Sequence, residues 1–462
     1  MNYLLKAMGF WIWGLIAIAI SVSVVAVSYR TIGSLRPARV ADSGSAPVGG
    51  STSFESAAPG LERGNQSATA ASGEPTISKP VRKEVLSAQD AMHRGQWSEV
   101  LSYLDAADSK TPVSSYDEAK TEEFRGYSEI KLKDLRAAQK AYEAAVATGA
   151  YKAEELVRIF RLLFQLAAQN GDNAKAIEYG QRIVADGNAT QNDLLVMSQL
   201  YYQQKDCKNS TAWGDRAASA YKEAGEAPKE VIYQIQLQCA SDAGDTKAML
   251  SALYELVRLT NKTSYWNNLI RLERQEERVD RNTLMIYRVM YDTHSMQADT
   301  DYIEMAQLLG DAGLPGEGRE VLEKALRSNF FKDEHRERAQ RLLAALKTRA
   351  DADIAGLHSL AVDAVKSPNG QLYLTLGQID FGAGSFEDAA SAIRLGLAKG
   401  QLDRLDDAYV TLGRSLVAQR DLADADKAFA KLKSVPDISP RVLRLWNLYA
   451  ETRAVAAASA SL

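Results

Sequence analysis

Ten turn signals recur between Gly95 and Arg420 at steps of 33 to 39 residues, and this period constrains the fold more than any other property of the chain. They stand at Gly95, Lys133, Gly171, Lys205, Gly244, Glu277, Gly313, Thr348, Gly384 and Arg420. The clearest copy is "LYLTLGQIDFGAGSFEDAASAIRLGLAKG", Leu372 to Gly400. It places Leu376-Gly377 in a first apolar segment, Gly384 at a turn, and Phe386, Ala389 and Ile393 at helical spacing in a second. The pattern returns as Leu412-Gly413, Ala425 and Phe429, and earlier as Gly313 with Gly318 and as Gly171 with Ala176. The copies around Glu277 and Thr348 are degenerate and are placed mainly by spacing. A period of this length means one helix pair repeated, because a single pair cannot bury its apolar face whereas stacked pairs share a core.

Large and small residues in this order resemble the tetratricopeptide repeat, whose helix A carries Leu-Gly and whose helix B packs against it through small side chains. The expected fold is therefore all-α: an α-solenoid of about ten such pairs over residues 83–437. In arrays of this kind helix A lines a concave groove. The slot two residues after the Leu of the Leu-Gly pair holds Gln89, Gln165, Gln199, Gln238, Gln307 and Gln378, with Arg271 and Arg414 in two other copies. An amide offers both donors and an acceptor to an extended peptide. The alternative is a polar helix former at a solvent-facing position.

The ends of the chain differ from the repeats. Residues 1–8 form a short tail, and "GFWIWGLIAIAISVSVVAVS", 9–28, is twenty residues without a charge. At about 1.5 Å per residue it spans a bilayer core as a transmembrane helix. The other reading is a cleaved signal sequence beginning at Lys6 and ending at Ala26-Val27-Ser28. Arg30, Arg36 and Arg39 on its far side would by themselves keep the following domain in the cytoplasm. Residues 29–82 are rich in Ser, Gly, Ala and Pro and read as a flexible linker. A capping helix is expected over 438–457, with Ser439 as N-cap and Pro440 at the first helical position, before a disordered tail at 458–462.

Chemistry is sparse. With 55 basic and 59 acidic residues and a net charge of −4, nothing marks a nucleic-acid surface. His93, His294, His335 and His358 lie in four different repeats without a metal-binding spacing. The glycines from Gly310 to Gly318 follow a helix rather than a strand and lack a Walker lysine. Asp351 and Asp353 form an isolated acidic pair. No partnered nucleophile is found, so neither enzyme activity nor a metal or cofactor is expected. An enzyme with an unrecognised site is the rival reading from another class.

The segment from Ser367 to Lys433, followed by "RLWNLYAE", is similar to bacterial tetratricopeptide proteins encoded beside TonB, ExbB and ExbD. So are "YWNNLIRLERQEERVDRNTLMIYRVMY", with Trp266 and Tyr287, and "YIEMAQLLGDAGLPGEGREVLEKAL". The resemblance spans about residues 83–455. It implies a periplasmic protein that assists energy-dependent uptake through protein contacts with TonB, ExbB or ExbD-type partners or outer-membrane receptors. The anchor at 9–28, with basic residues on its far side, lies outside the resemblance and departs from the family, and would hold such a scaffold on the inner membrane. It brings no catalytic residues. A scaffold for envelope or polysaccharide assembly would use the same architecture. Given export, Cys207 at the start of one helix B and Cys239 near the end of the next helix A are placed to form a disulfide. The alternative is two buried thiols.

Overall fold

The computed structural model describes residues 76–460 except 111, 112, 276, 278, 329, 330 and 437. The expected tail, membrane segment and most of the linker lie outside these residues. The described residues form twenty α-helices and no strand, and none of these helices is long and apolar enough to cross a membrane. They fall into two compact units divided after Asn188.

The first unit holds three helix pairs: α1 (Lys79–His93) with α2 (Trp97–Asp108), α3 (Ser115–Leu132) with α4 (Leu135–Ala147), and α5 (Ala153–Asn170) with α6 (Asn173–Ala185). Helix α1 starts within the stretch expected as linker, with Pro80 in its first turn, where a missing N–H costs nothing. The second unit continues with α7 (Gln191–Gln203) and α8 (Cys207–Glu223), α9 (Glu230–Ala243) and α10 (Thr246–Thr260), α11 (Thr263–Gln275) and α12 (Asp280–Asp292), and α13 (Asp299–Asp311) and α14 (Pro315–Arg327). After the single helix α15 (Asp333–Lys366) come α16 (Gln371–Ala383) and α17 (Phe386–Lys399), α18 (Leu405–Ala418) and α19 (Leu422–Ala430), and finally α20 (Pro440–Ala460).

A shared local device makes the turns inside the pairs. Left-handed backbone occurs at Gly95, Lys133, Gly171, Lys205, Gly244, Gly313, Gly384 and Arg420. After five of these an aspartate follows and caps helix B: the side chains of Asp134, Asp172, Asp206, Asp245 and Asp421 accept from the backbone N–H three residues on. A left-handed residue closes the last carbonyls of helix A, and the aspartate satisfies the first amides of helix B. This cap explains how Lys133, Lys205 and Arg420 can occupy a conformation that normally selects glycine.

At Thr348 the structure corrects the expected period. No turn forms there, and residues 333–366 make one helix of 34 residues. Arg349 stands where five of the other turns have aspartate, and its guanidinium donates to Gly310 O at 2.9 Å. Ala, Leu, Arg and Lys around it favour continued helix. The ammonium of Lys399 caps the far end, donating to Ala364 O, Val365 O and Ser367 O at 2.7 to 2.9 Å.

Because α15 supplies one helix where a repeat supplies two, α14 lies directly against α16. Their backbones meet at two glycines: a Cβ on Gly382 would fall 2.7 Å from Glu317 N and 2.8 Å from Gly316 Cα. The last helix also departs from expectation. Helix α20 covers α19 but also packs on α10 and α12, burying Val442, Leu445, Trp446 and Leu448.

Several of the expected packing positions are enclosed: Ala176, Ala389, Ile393, Ala425 and Phe429 are fully buried, and Leu412 nearly so. Leu376 and Phe386 are only half-buried, and the Phe386 ring meets Phe381 edge-on. Gly377 faces Ile393, Gly318 faces Leu346, and Gly413 faces Phe429. A Cβ on Gly413 would sit 2.5 Å from the Phe429 ring, which itself stacks on Trp446 at 5.2 Å. Gly413→Ala is expected to cost about 1 to 3 kcal/mol through overpacking. Gly356 is exposed in the middle of α15, and a Cβ there would meet nothing within 4 Å. Gly356→Ala is therefore expected to stabilise by about 0.5 to 1 kcal/mol. Urea denaturation of the two variants checks both signs.

Candidate functional site

The eight groove positions meet different fates. In the first unit Gln89 and Gln165 are half-buried and make no hydrogen bond among the described residues. In the second, Gln199 and Gln378 are in the same condition. Gln238 donates to Asp242 at 2.8 Å, Gln307 to Asp311 at 3.1 Å, and Arg271 to Asn268 at 3.2 Å, all along their own helices. Arg414 does not face a partner. It is 6 % exposed, donates twice to Asp292 at 2.9 and 3.0 Å, and is paired with Glu317.

Arg414 belongs to a buried ion-pair network that ties the last helices to α12 and α14. Arg288 donates to both oxygens of Glu317, at 3.1 and 2.6 Å, and to Asp407 at 2.9 Å. Arg281 donates to Asp406 at 2.7 Å, and Arg404 pairs with Asp407. Burial alone would push the Glu317 carboxyl up, but the guanidiniums of Arg288 and Arg414 overcome it and hold the group at about 2. Desolvation likewise opposes the charge on Arg414, and Asp292 and Glu317 outweigh it, so its pKa is raised. Glu317 is thus locked as an ion near neutral pH and cannot exchange a proton there.

A second node pins α20. Glu273, itself buried, accepts from Tyr254 Oη at 2.8 Å and from Arg444 at 3.0 and 3.3 Å, with Arg441 at 3.4 Å. Arg258 pairs with Glu451 at 2.9 Å. These contacts join residues up to 193 positions apart. Spacing rules for one repeat carry no signal for them.

A cavity of about 80 Å³ lies between the start of α14, the middle of α15 and α16. Its floor is the main chain around Gly313, Gly316 and Gly382, its walls include Leu314, Ile354 and Ile379, and Gln378, Thr375 and Asp353 supply its polar atoms. Asp353, half-buried, has no ion pair or hydrogen bond among the described residues, whereas Asp351 is 3.5 Å from Arg319.

The two cysteines are joined: Cys207 and Cys239 form a disulfide with Cα atoms 5.5 Å apart, bridging the start of α8 to the end of α9. The four histidines are dispersed, and His335 Nδ1 lies 2.9 Å from Asp299. Among the described residues no three His, Cys, Asp or Glu side chains are grouped to hold a metal ion.

Helix pairs, left-handed turns and small-residue contacts define the class as tetratricopeptide-like helical repeats. No family model matches the sequence, and no curated protein matches it. Among solved structures, a tetratricopeptide repeat protein from Parabacteroides merdae is 13 % identical, with 73 % of this chain and 100 % of that chain covered and a TM-score of 0.30. Naa15/Naa10 bound to HypK-THB gives 15 % identity over 79 % of this chain and 60 % of that one, with a TM-score of 0.37. The P58(IPK) TPR domain gives 11 % identity, 74 % and 98 % coverage, and a TM-score of 0.20. With scores this low, the class stands on the turns and helix pairs of this chain itself.

Proposed function

We propose that the protein is a non-enzymatic scaffold that holds other proteins on the faces of its helix pairs. The observation that carries this reading is the set of half-buried, unbonded amides at one register of helix A, Gln89 and Gln165 in the first unit and Gln199 and Gln378 in the second. Such amides are uncommitted within the chain and can both donate to and accept from a partner's main chain. Catalysis would instead call for clustered groups with matched pKa values, and the main charged cluster is committed to internal ion pairs.

In the finer reading, residues 9–28 anchor the chain in the inner membrane, the repeats stand in the periplasm, and the partners belong to TonB-dependent transport. Its support is the sequence resemblance over residues 83–455 and a disulfide suited to an oxidising compartment. A C-terminal fusion to a reporter active only outside the cytoplasm should be active, and an inactive fusion would defeat the periplasmic placement. Capture from crosslinked membranes should enrich a TonB-type or outer-membrane receptor protein. Enrichment of other envelope proteins alone would remove the transport role and leave the scaffold.

A further inference from the structure

We propose that the cavity at Gln378 seats one aliphatic side chain, of valine or leucine size, from a protein segment that carries a lysine or arginine beside it. The inference rests on the scaffold reading and gives it a recognition chemistry. Size sets the first limit. An enclosed cavity of about 150 Å³ holds benzene, and this smaller hollow of about 80 Å³, open on one side, suits a branched aliphatic group better than an aromatic ring.

Rigidity sets the second. The floor is bare main chain where Gly316 and Gly382 touch, and Arg319 donates to Gly382 O at 3.3 Å across the same crossing. The cavity is therefore shaped by packed backbone. A preformed hollow whose walls combine apolar side chains with polar groups can seat a side chain and fix the main chain beside it.

Charge sets the third. Asp353 is the charged residue of the lining, half-buried and without a counter-ion among the described residues. A carboxylate without a counter-ion favours a cation at this rim. Gln378, also unbonded, can both donate to and accept from the main chain of the incoming segment. Ile354, 39 % exposed, extends the apolar surface out of the cavity along α15.

The test uses the full-length protein and two photo-reactive probes, N-acetyl photo-leucyl-lysine amide and N-acetyl photo-leucyl-glutamate amide. After irradiation, adducts should concentrate in the tryptic peptides 350–366 and 367–394, which contain most of the cavity walls, with about threefold more from the lysine probe. Asp353→Asn should abolish that preference while leaving the site of labelling. Ala383→Leu, on an exposed wall residue, should remove labelling there, and a melting curve unchanged from wild type shows that the fold is kept. Adducts spread over the chain, or labelling indifferent to Ala383→Leu, would overturn the proposal. So would equal labelling by free photo-leucine, which would mark a small-molecule site. Partner capture that survives Ala383→Leu would refute this seat while sparing the scaffold, and failure to capture any partner with the cavity labelled as described would refute the scaffold instead.

Discussion

Glu317→Ala is expected to destabilise the unit that begins at Ala189 by about 3 to 5 kcal/mol, the usual cost of removing one partner from a buried ion pair. The carboxylate is 4 % exposed and is the common acceptor of Arg288 and Arg414, which are 1 % and 6 % exposed. Its removal leaves Asp407 and Asp292 to balance two buried guanidiniums that were shared among three acids. Replacement of the whole cluster by apolar residues of similar volume should cost far less, because no charge is then stranded.

The same group predicts a pH dependence. Its folded pKa of about 2 lies below the ordinary 4.5, so its contribution is fully present above about pH 4.5 and is lost as pH falls towards 2. Denaturation midpoints of wild type should therefore drop more steeply between pH 4.5 and 2 than those of Glu317→Gln. Parallel curves would show that the network does not hold this unit together.

Opening the disulfide is expected to have the second-largest effect. Cys207 and Cys239 are 32 positions apart, and closing a loop of that length restricts the unfolded chain by about 3 to 4 kcal/mol. The bridge joins helix B of one repeat to helix A of the next, so it ties α8 to α9 across the boundary between them. The double variant Cys207→Ser with Cys239→Ser should lower the urea midpoint to the value of the reduced wild-type protein. A wild-type midpoint unmoved by reductant, with complete reduction verified by thiol titration, would contradict this.

The parts of the fold made by local chemistry were legible in the sequence. Gly171, Gly244 and Gly384 announce turns by residue type, and Lys205 and Arg420 are found through the period. The aspartate after each of the latter supplies the physical cause. Thr348 shows where the period fails: mainly spacing placed a turn in a stretch of good helix formers that lacks the capping aspartate.

Arg414 shows the second limit. Its slot in helix A is that of the glutamines, yet its surroundings are set by Asp292, 122 residues earlier, and by Glu317 on another helix. A repeat period describes what neighbouring pairs share. It contains no term for the last helices folding back onto α10, α12 and α14. The cavity at Gln378 was half legible: the residue stood out by register, but the hole beside it exists because α15 is a single helix and brings Gly316 against Gly382.

The central claim, that this chain works by holding proteins on its repeat faces, is tested most directly by site-specific photocrosslinking in living cells. A crosslinking amino acid at Gln165, Gln199 or Gln378 should give discrete adducts with protein partners, and the same group at exposed Arg341 on α15 should not. Adducts absent from all three glutamine positions, or identical at Arg341, would contradict it.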